Sequence, residues 1–313
     1  MKARKQLALL GRDVVDFLLG RSRLRSAADA ADAWIHPVDA DFYLDDPEAH
    51  MGPFDAAGLP MQRFGGAEPV YVPSRTAAFA FVHWNRWRRT KDEAHLRAFL
   101  QAARWFAEFT DGRIEHRFDL AGMAAPWISG LAQGEALSIF ARAELVEPGQ
   151  WRARCEPVLT WMTRPIAQGG VADVLPDGGP FLEEYPGTRH RHVLNGCLYA
   201  LVGLGDFLRL GAHAEGQALF DGVAAATARN LAHWEDRGWS LYEYRGEGRA
   251  ARGNYNTPGY QIVHIALLRA VGPMGGGAPF LEAADRLERA LRHPLIRARA
   301  LAGKLLYRFH SGW

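Results

Sequence analysis

Residues 127–140, WISGLAQGEALSIF, decide how the rest of the chain is read. The stretch sets a polar residue, Gln133, just inside an apolar face and places Gly130 and Gly134 at helical spacing. Small residues on that spacing suit an inner helix packed closely against its neighbours. Two later stretches repeat the pattern, HVLNGCLYALVGL at 192–204 and YQIVHIALLRAV at 260–271. With Tyr71 heading an earlier segment, the positions Tyr71, Gln133, Asn195 and Tyr260 fall 62, 62 and 65 residues apart. That period exceeds the common short solenoid units but suits one inner helix, a turn, an outer helix and a return loop.

Working outward, apolar periodicity predicts helices over 74–89, 92–110, 127–146, 150–167, 192–210, 213–235, 259–271 and 279–297. Breaks between them carry Pro or Gly among polar residues, as in GGVADVLPDGG at 169–179 and RGEGRAARGN at 245–254. The expected fold is all-α dominated, an α/α barrel (toroid) of helical hairpins whose inner helices start at one end. Long loops then gather at that rim, and chemistry gathers with them. Residues 36–73 are dense in Pro, Gly and Asp and read as irregular, with short strands near Val70–Val72. Residues 1–73 are therefore expected to form an N-terminal helix and irregular/β segment packed on a barrel spanning 74–313, the two making one structural unit.

Hydrophobic residues make up 48% and charged residues 23% of the 313, the profile of a globular protein. A formal net charge of +2 supplies no global field for nucleic acid or a membrane surface, so any preference for anions must be local. Arg12, Asp13 and Asp16 interrupt the apolar N-terminal stretch, which reads as an amphipathic surface helix and not as a signal peptide or a span. Cys155 and Cys197 lie in apolar helical runs without metal-ligand spacing, so buried free thiols and a cytoplasmic protein are expected.

The predicted rim collects Tyr71, Trp127, Gln133, Glu183, Glu184, Tyr185, Arg189, His192, Asn195, Tyr242, Arg245, Arg252, Asn254, Tyr260 and His264. These are tyrosines, guanidinium groups and a carboxylate pair, with neither a metal cage nor a phosphate-cradling glycine loop, so no cofactor and no metal are expected. Arginine pairs with a carboxylate through two parallel hydrogen bonds, and neutralising that carboxylate acidifies the neighbouring C–H. A tyrosine is a poor base at its usual pKa near 10, and cationic neighbours would lower it. Each residue also has a structural use, as core tyrosine, solvated basic turn or hydrogen-bonded core histidine.

The blocks WISGLAQGEALSIFARA, FLEEYP followed by HVLNGCLYALVGLGDF, and LYEYR followed by YQIVHIALL resemble the catalytic domain of glucuronyl C5-epimerases. The upstream stretch FYLDDP…GPFDAAGLP…VYVPSRTAAFAF is similar to bacterial members. The resemblance implies an α/α barrel that converts D-glucuronate to L-iduronate in heparosan- or heparan-type chains. It implies catalytic roles for Glu184, Tyr185, Tyr242 and Tyr260, a carboxylate clamp in Arg245, and an acidic polysaccharide or oligosaccharide as partner. Members of the family dimerise, so a homodimer is a further expectation.

Departures fall near the last tyrosine, where Thr257, Pro258 and Gly259 replace an Arg-Trp-Asp run and Gln261 stands where a His is expected. The basic run from Arg189 to His192 replaces a more neutral stretch and implies a glycan of different charge pattern. Three other activities share parts of this constellation. They are a polysaccharide lyase on the same barrel, a glycoside hydrolase pairing Glu183 or Glu184 with Asp177, and a non-catalytic acidic-glycan-binding protein.

Overall fold

The computed structural model describes residues 11, 14–64, 67–120, 122–188, 192–246 and 253–311; Arg189 and Arg252 lie outside the described residues. Among the described residues four helical hairpins follow one another. They are α1 (Pro73–Thr90) with α2 (Glu93–Ala107), α3 (Gly130–Glu144) with α4 (Arg152–Thr163), α5 (Leu194–Leu208) with α6 (Ala214–Asn230), and α7 (Pro258–Val271) with α8 (Ala278–Arg292). A ninth long helix, α9 (Pro294–Ser311), was not expected as a separate element. Pro294 ends α8 and then serves as the first residue of the next helix, where its missing N–H is no loss.

The odd-numbered helices pack in series, α1 on α3, α3 on α5 and α5 on α7, and each carries its even-numbered partner on the outside. Helix α3 is buried from Gly130 to Ala143, its polar side chains Gln133, Glu135, Ser138 and Arg142 included. The α3–α5 contact is the most extensive between helices. A Cβ on Gly203 would fall 2.0 Å from the carbonyl oxygen of Gly134, so only glycine permits this approach of the two backbones. Cys155 on α4 and Cys197 on α5 are buried and free.

Each inner helix is preceded by a two-stranded antiparallel ribbon, a feature absent from the sequence-based expectation outside the N-terminal segment. The ribbons are β1 (Arg25–Ser26) with β2 (Val38–Asp39), β3 (Glu115–His116) with β4 (Trp127–Ile128), β5 (Ala172–Val174) with β6 (Pro180–Leu182), and β7 (Glu235–Asp236) with β8 (Trp239–Ser240). Strands of two or three residues carry no readable alternation. The N-terminal segment spans from α7, which β1 and β2 touch, to α1, which the short helix Asp41–Leu44 touches. Asn85 of α1 clasps it, accepting from the His36 N–H at 2.7 Å and donating to the His36 carbonyl at 3.1 Å.

At the C-terminal ends of α3 and α5, Arg142 and Asp206 form a fully buried ion pair at 2.5 Å. Ser138 Oγ donates to the same Asp206 carboxylate, and Arg142 Nε donates to the Trp34 carbonyl. Among the described residues no helix is long and apolar enough to cross a membrane.

Candidate active site

The opposite end of α3 and α5 carries the carboxylate pair. Ribbon β5–β6 delivers the chain to Glu183, whose backbone bridges two elements: its N–H donates to Val171 and its carbonyl accepts from Gly130 N–H at 2.8 Å. The Glu183 carboxylate accepts the Glu184 N–H at 3.0 Å and the His192 N–H at 2.7 Å, fixing both ends of the following loop. Glu183 is thus a structural anchor, and the alternation it starts turns Glu184 inward.

Glu184 lies against the first turn of α5. Asn195 Nδ2 donates to its Oε2 at 3.0 Å, and a Cβ on Gly196 would come within 2.5 Å of the Glu184 Cβ. Glycine at 196 therefore makes room for this carboxylate. Tyr242 Oη donates to Glu184 Oε1 at 3.4 Å and sits 3.2 Å from Tyr185 Oη. The Tyr242 ring meets Tyr260 edge-on, with centroids 5.7 Å apart. The backbone holds Tyr242 on both sides, its N–H donating to Asn254 and its carbonyl accepting from Leu194. Tyr260 is placed by the Thr257 cap and Pro258 at the start of α7.

Glu184, Tyr185, Asn195 and Tyr260 line a half-open cavity of about 480 Å³, which Tyr43, His50, Gln62 and Arg75 also line. Burial raises the Glu184 carboxyl to about 7; hydrogen bonds from Tyr185, Tyr242 and Asn195 pull it down while the charge of Glu183 pushes it up. Burial, then the Glu184 charge, lift Tyr242 and Tyr185 well above the phenol range. Tyr260 keeps 44% of its surface exposed, yet burial of the part facing the cavity and the Glu184 charge push it to about 12. The expectation of cation-lowered phenols is overturned: burial first, and then the charge of the carboxylate they surround, push these tyrosines up.

Several predicted positions serve other purposes. Gln133 points away from the cavity and is fully buried, accepting from Ile114 N–H and donating to the Gly112 carbonyl. Tyr71 donates to Asp55 and lines a separate cavity of about 430 Å³ with Glu108 and Arg117. Arg245 pairs with Asp236 at 3.2 Å and is not among the residues that line the main cavity, where it was expected. His264 is a core residue 3.5 Å from Asn256, its imidazole pushed down to about 3 by burial. Trp127 donates to the Phe118 carbonyl and backs Tyr185 from a centroid distance of 6.2 Å. Asn254 contributes its backbone carbonyl, and Asp177 lies against Asn230 and Arg229, outside the cavity.

His192 adopts a left-handed backbone (φ 52°) and is buried with its Nδ1 3.3 Å from Glu183, off line for a hydrogen bond. Asp173, Glu183 and His192 bring ligand-type atoms within 4.8 Å of one another, a grouping that the sequence spacing did not show. Both Glu183 oxygens accept backbone N–H groups and so clasp the loop, while the buried His192 Nδ1 beside them makes no hydrogen bond.

Sequence reasoning missed Glu135, Tyr199 and Arg75, all on the cavity wall. Glu135 is buried beside Glu184, and burial first, then the Glu184 charge, hold its carboxyl well above the usual range. Tyr199 stands four residues, about one turn, after Asn195, a spacing that places both on one helix face.

Residues 104–289 match the sequence profile of the D-glucuronyl C5-epimerase C-terminus. A D-glucuronyl C5-epimerase of Caenorhabditis elegans is 25% identical over 215 residues, covering 62% of this chain and 35% of that protein. The chain thus spans about a third of that relative's length.

Proposed function

This chain belongs to the D-glucuronyl C5-epimerase family, and on that footing we propose that it epimerises uronate residues at C5 within a glycan, D-glucuronate of a heparosan-type chain becoming L-iduronate. The carrying observation is a buried carboxyl, Glu184, raised to about 7 in a cavity that it shares with the phenol of Tyr260, pushed up to about 12. A general base works best when its pKa lies near the working pH.

In this reading the Glu184 carboxylate takes the C5 proton. The electron pair left in the C5–H bond spreads into the C6 carboxylate. Tyr260 then gives its hydroxyl proton to C5 from the other face, and the configuration inverts. Tyr260 is suited to this role because it both lines the cavity and remains 44% exposed, so its phenolate regains a proton from water. Tyr242 and Tyr185 hydrogen-bond around Glu184 and keep its oxygens aligned while its proton passes to solvent.

The series of inner helices supports the α/α toroid as the architecture. The cavity supports treating 1–73 and 74–313 as one working unit, since Tyr43, His50 and Gln62 face Glu184 and Tyr260 across it. The test is incubation of a glucuronate polymer in D2O followed by analysis of the sugar. Deuterium at C5 with some iduronate is expected. An unsaturated, ultraviolet-absorbing uronate would replace this reading with β-elimination, and an unchanged polymer with no deuterium would remove it.

A further inference from the structure

Arg75 is a cation in an unusual place. It stands in the first turn of α1, where the helix dipole disfavours positive charge. It lines the same cavity as Glu184, Tyr185, Asn195 and Tyr260. Burial drives its guanidinium below the usual value. Among the described residues no carboxylate lies within ion-pair distance of it. Its hydrogen-bond partners are both neutral: Nε donates to Gln62 Oε1 at 3.2 Å and Nη1 donates to the His50 carbonyl at 3.3 Å. A guanidinium has five N–H groups in a rigid fork, so most of this one's donors are uncommitted within the protein. Partly buried charges ordinarily find a counter-charge. The other arginine considered for carboxylate recognition, Arg245, has one in Asp236.

We propose that Arg75 is the receptor for the substrate's C6 carboxylate and thereby sets the preference for uronates over neutral hexoses. The inference rests on the epimerase reading above. The two uncommitted directions of the fork suit a planar carboxylate. Because C6 is bonded directly to C5, anchoring the carboxylate on the Arg75 wall leaves C5 one bond further out, in the space toward Glu184 and Tyr260. Pairing also withdraws charge from the carboxylate as the C5–H bond breaks, since the developing electron pair moves into the group that Arg75 holds. Gln62 and the His50 carbonyl act as the positioning groups that aim the fork.

The test compares two probes, a heparosan hexasaccharide and the same oligosaccharide with its carboxyls reduced to primary alcohols. Dissociation constants are measured for the wild type, Arg75→Gln and Arg245→Gln. The wild type should favour the carboxylate form by about 10- to 100-fold, as expected of a charge-assisted pair. In Arg75→Gln that preference should collapse toward parity through weaker binding of the carboxylate form alone, with the reduced form bound as before. Equal loss of both probes would mark a structural role and overturn the proposal. Full preference retained in Arg75→Gln, or its loss in Arg245→Gln instead, would overturn it as well. If the wild type shows no preference, the uronate reading itself fails, a distinguishable result. Should Arg75→Gln not fold, Arg75→Lys keeps the charge without the fork. A reduced preference then supports the proposal, and wild-type preference with wild-type exchange overturns it.

Discussion

The two ends of the α3–α5 pair solve opposite problems. At their C-terminal ends Arg142, Asp206 and Ser138 form a closed set in which each buried polar group has a protein partner. At their N-terminal ends Glu184 shares its burial with Glu135, whose Oε2 has no partner, and faces Arg75 across a cavity with no ion pair formed. The same two helices thus carry a charge arrangement that is complete and one that is not. Burying a charge without a partner costs stability, so its retention beside a cavity marks a candidate functional site.

That contrast is sharpest at Glu184. Glu184→Gln should lower C5 exchange by about 10³- to 10⁴-fold, equivalent to ~4–5 kcal/mol of barrier. The same variant should be more stable than the wild type at pH 8. The folded carboxyl, at about 7, lies above its unfolded value. The protonated form is therefore favoured by the fold, and the stability it confers is present below pH 4 and lost as pH rises through 7. The difference amounts to ~3 kcal/mol. A Tm gain at pH 8 that vanishes at pH 4 would check it, and an equal or lower Tm at pH 8 would break the comparison.

The other end should behave in reverse. Asp206→Ala leaves Arg142 buried without a counter-charge and should destabilise by ~3–5 kcal/mol in denaturant titration. Its effect on exchange should be small wherever the variant is folded. If Asp206→Ala were as stable as the wild type, the account of a closed, stabilising network would fail.

A smaller effect is expected at Gly196. A methyl group there meets the Glu184 side chain at 2.5 Å, so Gly196→Ala should displace the base and cost about 10²-fold in turnover. Binding of a glucuronate oligosaccharide should weaken far less, so the kcat and KM effects separate. The smallest effect on exchange is expected for Glu135→Gln. Glu135 is held protonated by burial, so it behaves as a neutral group already. Its replacement should leave exchange nearly intact, while Tm rises at pH 8, where the unfolded carboxyl ionises and the folded one does not, with no gain at pH 4.

Much of the fold was legible because helices read their surroundings at 3.6 residues per turn over a dozen or more positions. All eight expected helices occur, most with ends within a few residues. The ribbons were not legible, since two paired residues leave no period. Of the candidate site, Glu184 and Tyr185, which follow a strand, and Tyr260, which follows a Thr-Pro cap, line one cavity as the sequence led one to expect of a rim. Gln133, which was read as facing that rim, does not. Two positions further, Glu135 points about 200° away around the helix and reaches the cavity instead. Arg245 carried the right chemistry, but Asp236 on the neighbouring ribbon had already claimed it. No local pattern near 245 reveals a partner nine residues upstream.

The central claim is that one buried carboxyl, held near neutrality by its surroundings, takes the proton from C5. The most direct test is the rate of deuterium uptake at C5 of a glucuronate polymer measured from pH 5 to 9. The account predicts a rate that rises with pH to a plateau, with a midpoint near 7 that disappears in Glu184→Gln along with the activity. A rate that is flat across this range, or a midpoint near 7 that survives in residual Glu184→Gln activity, would contradict it.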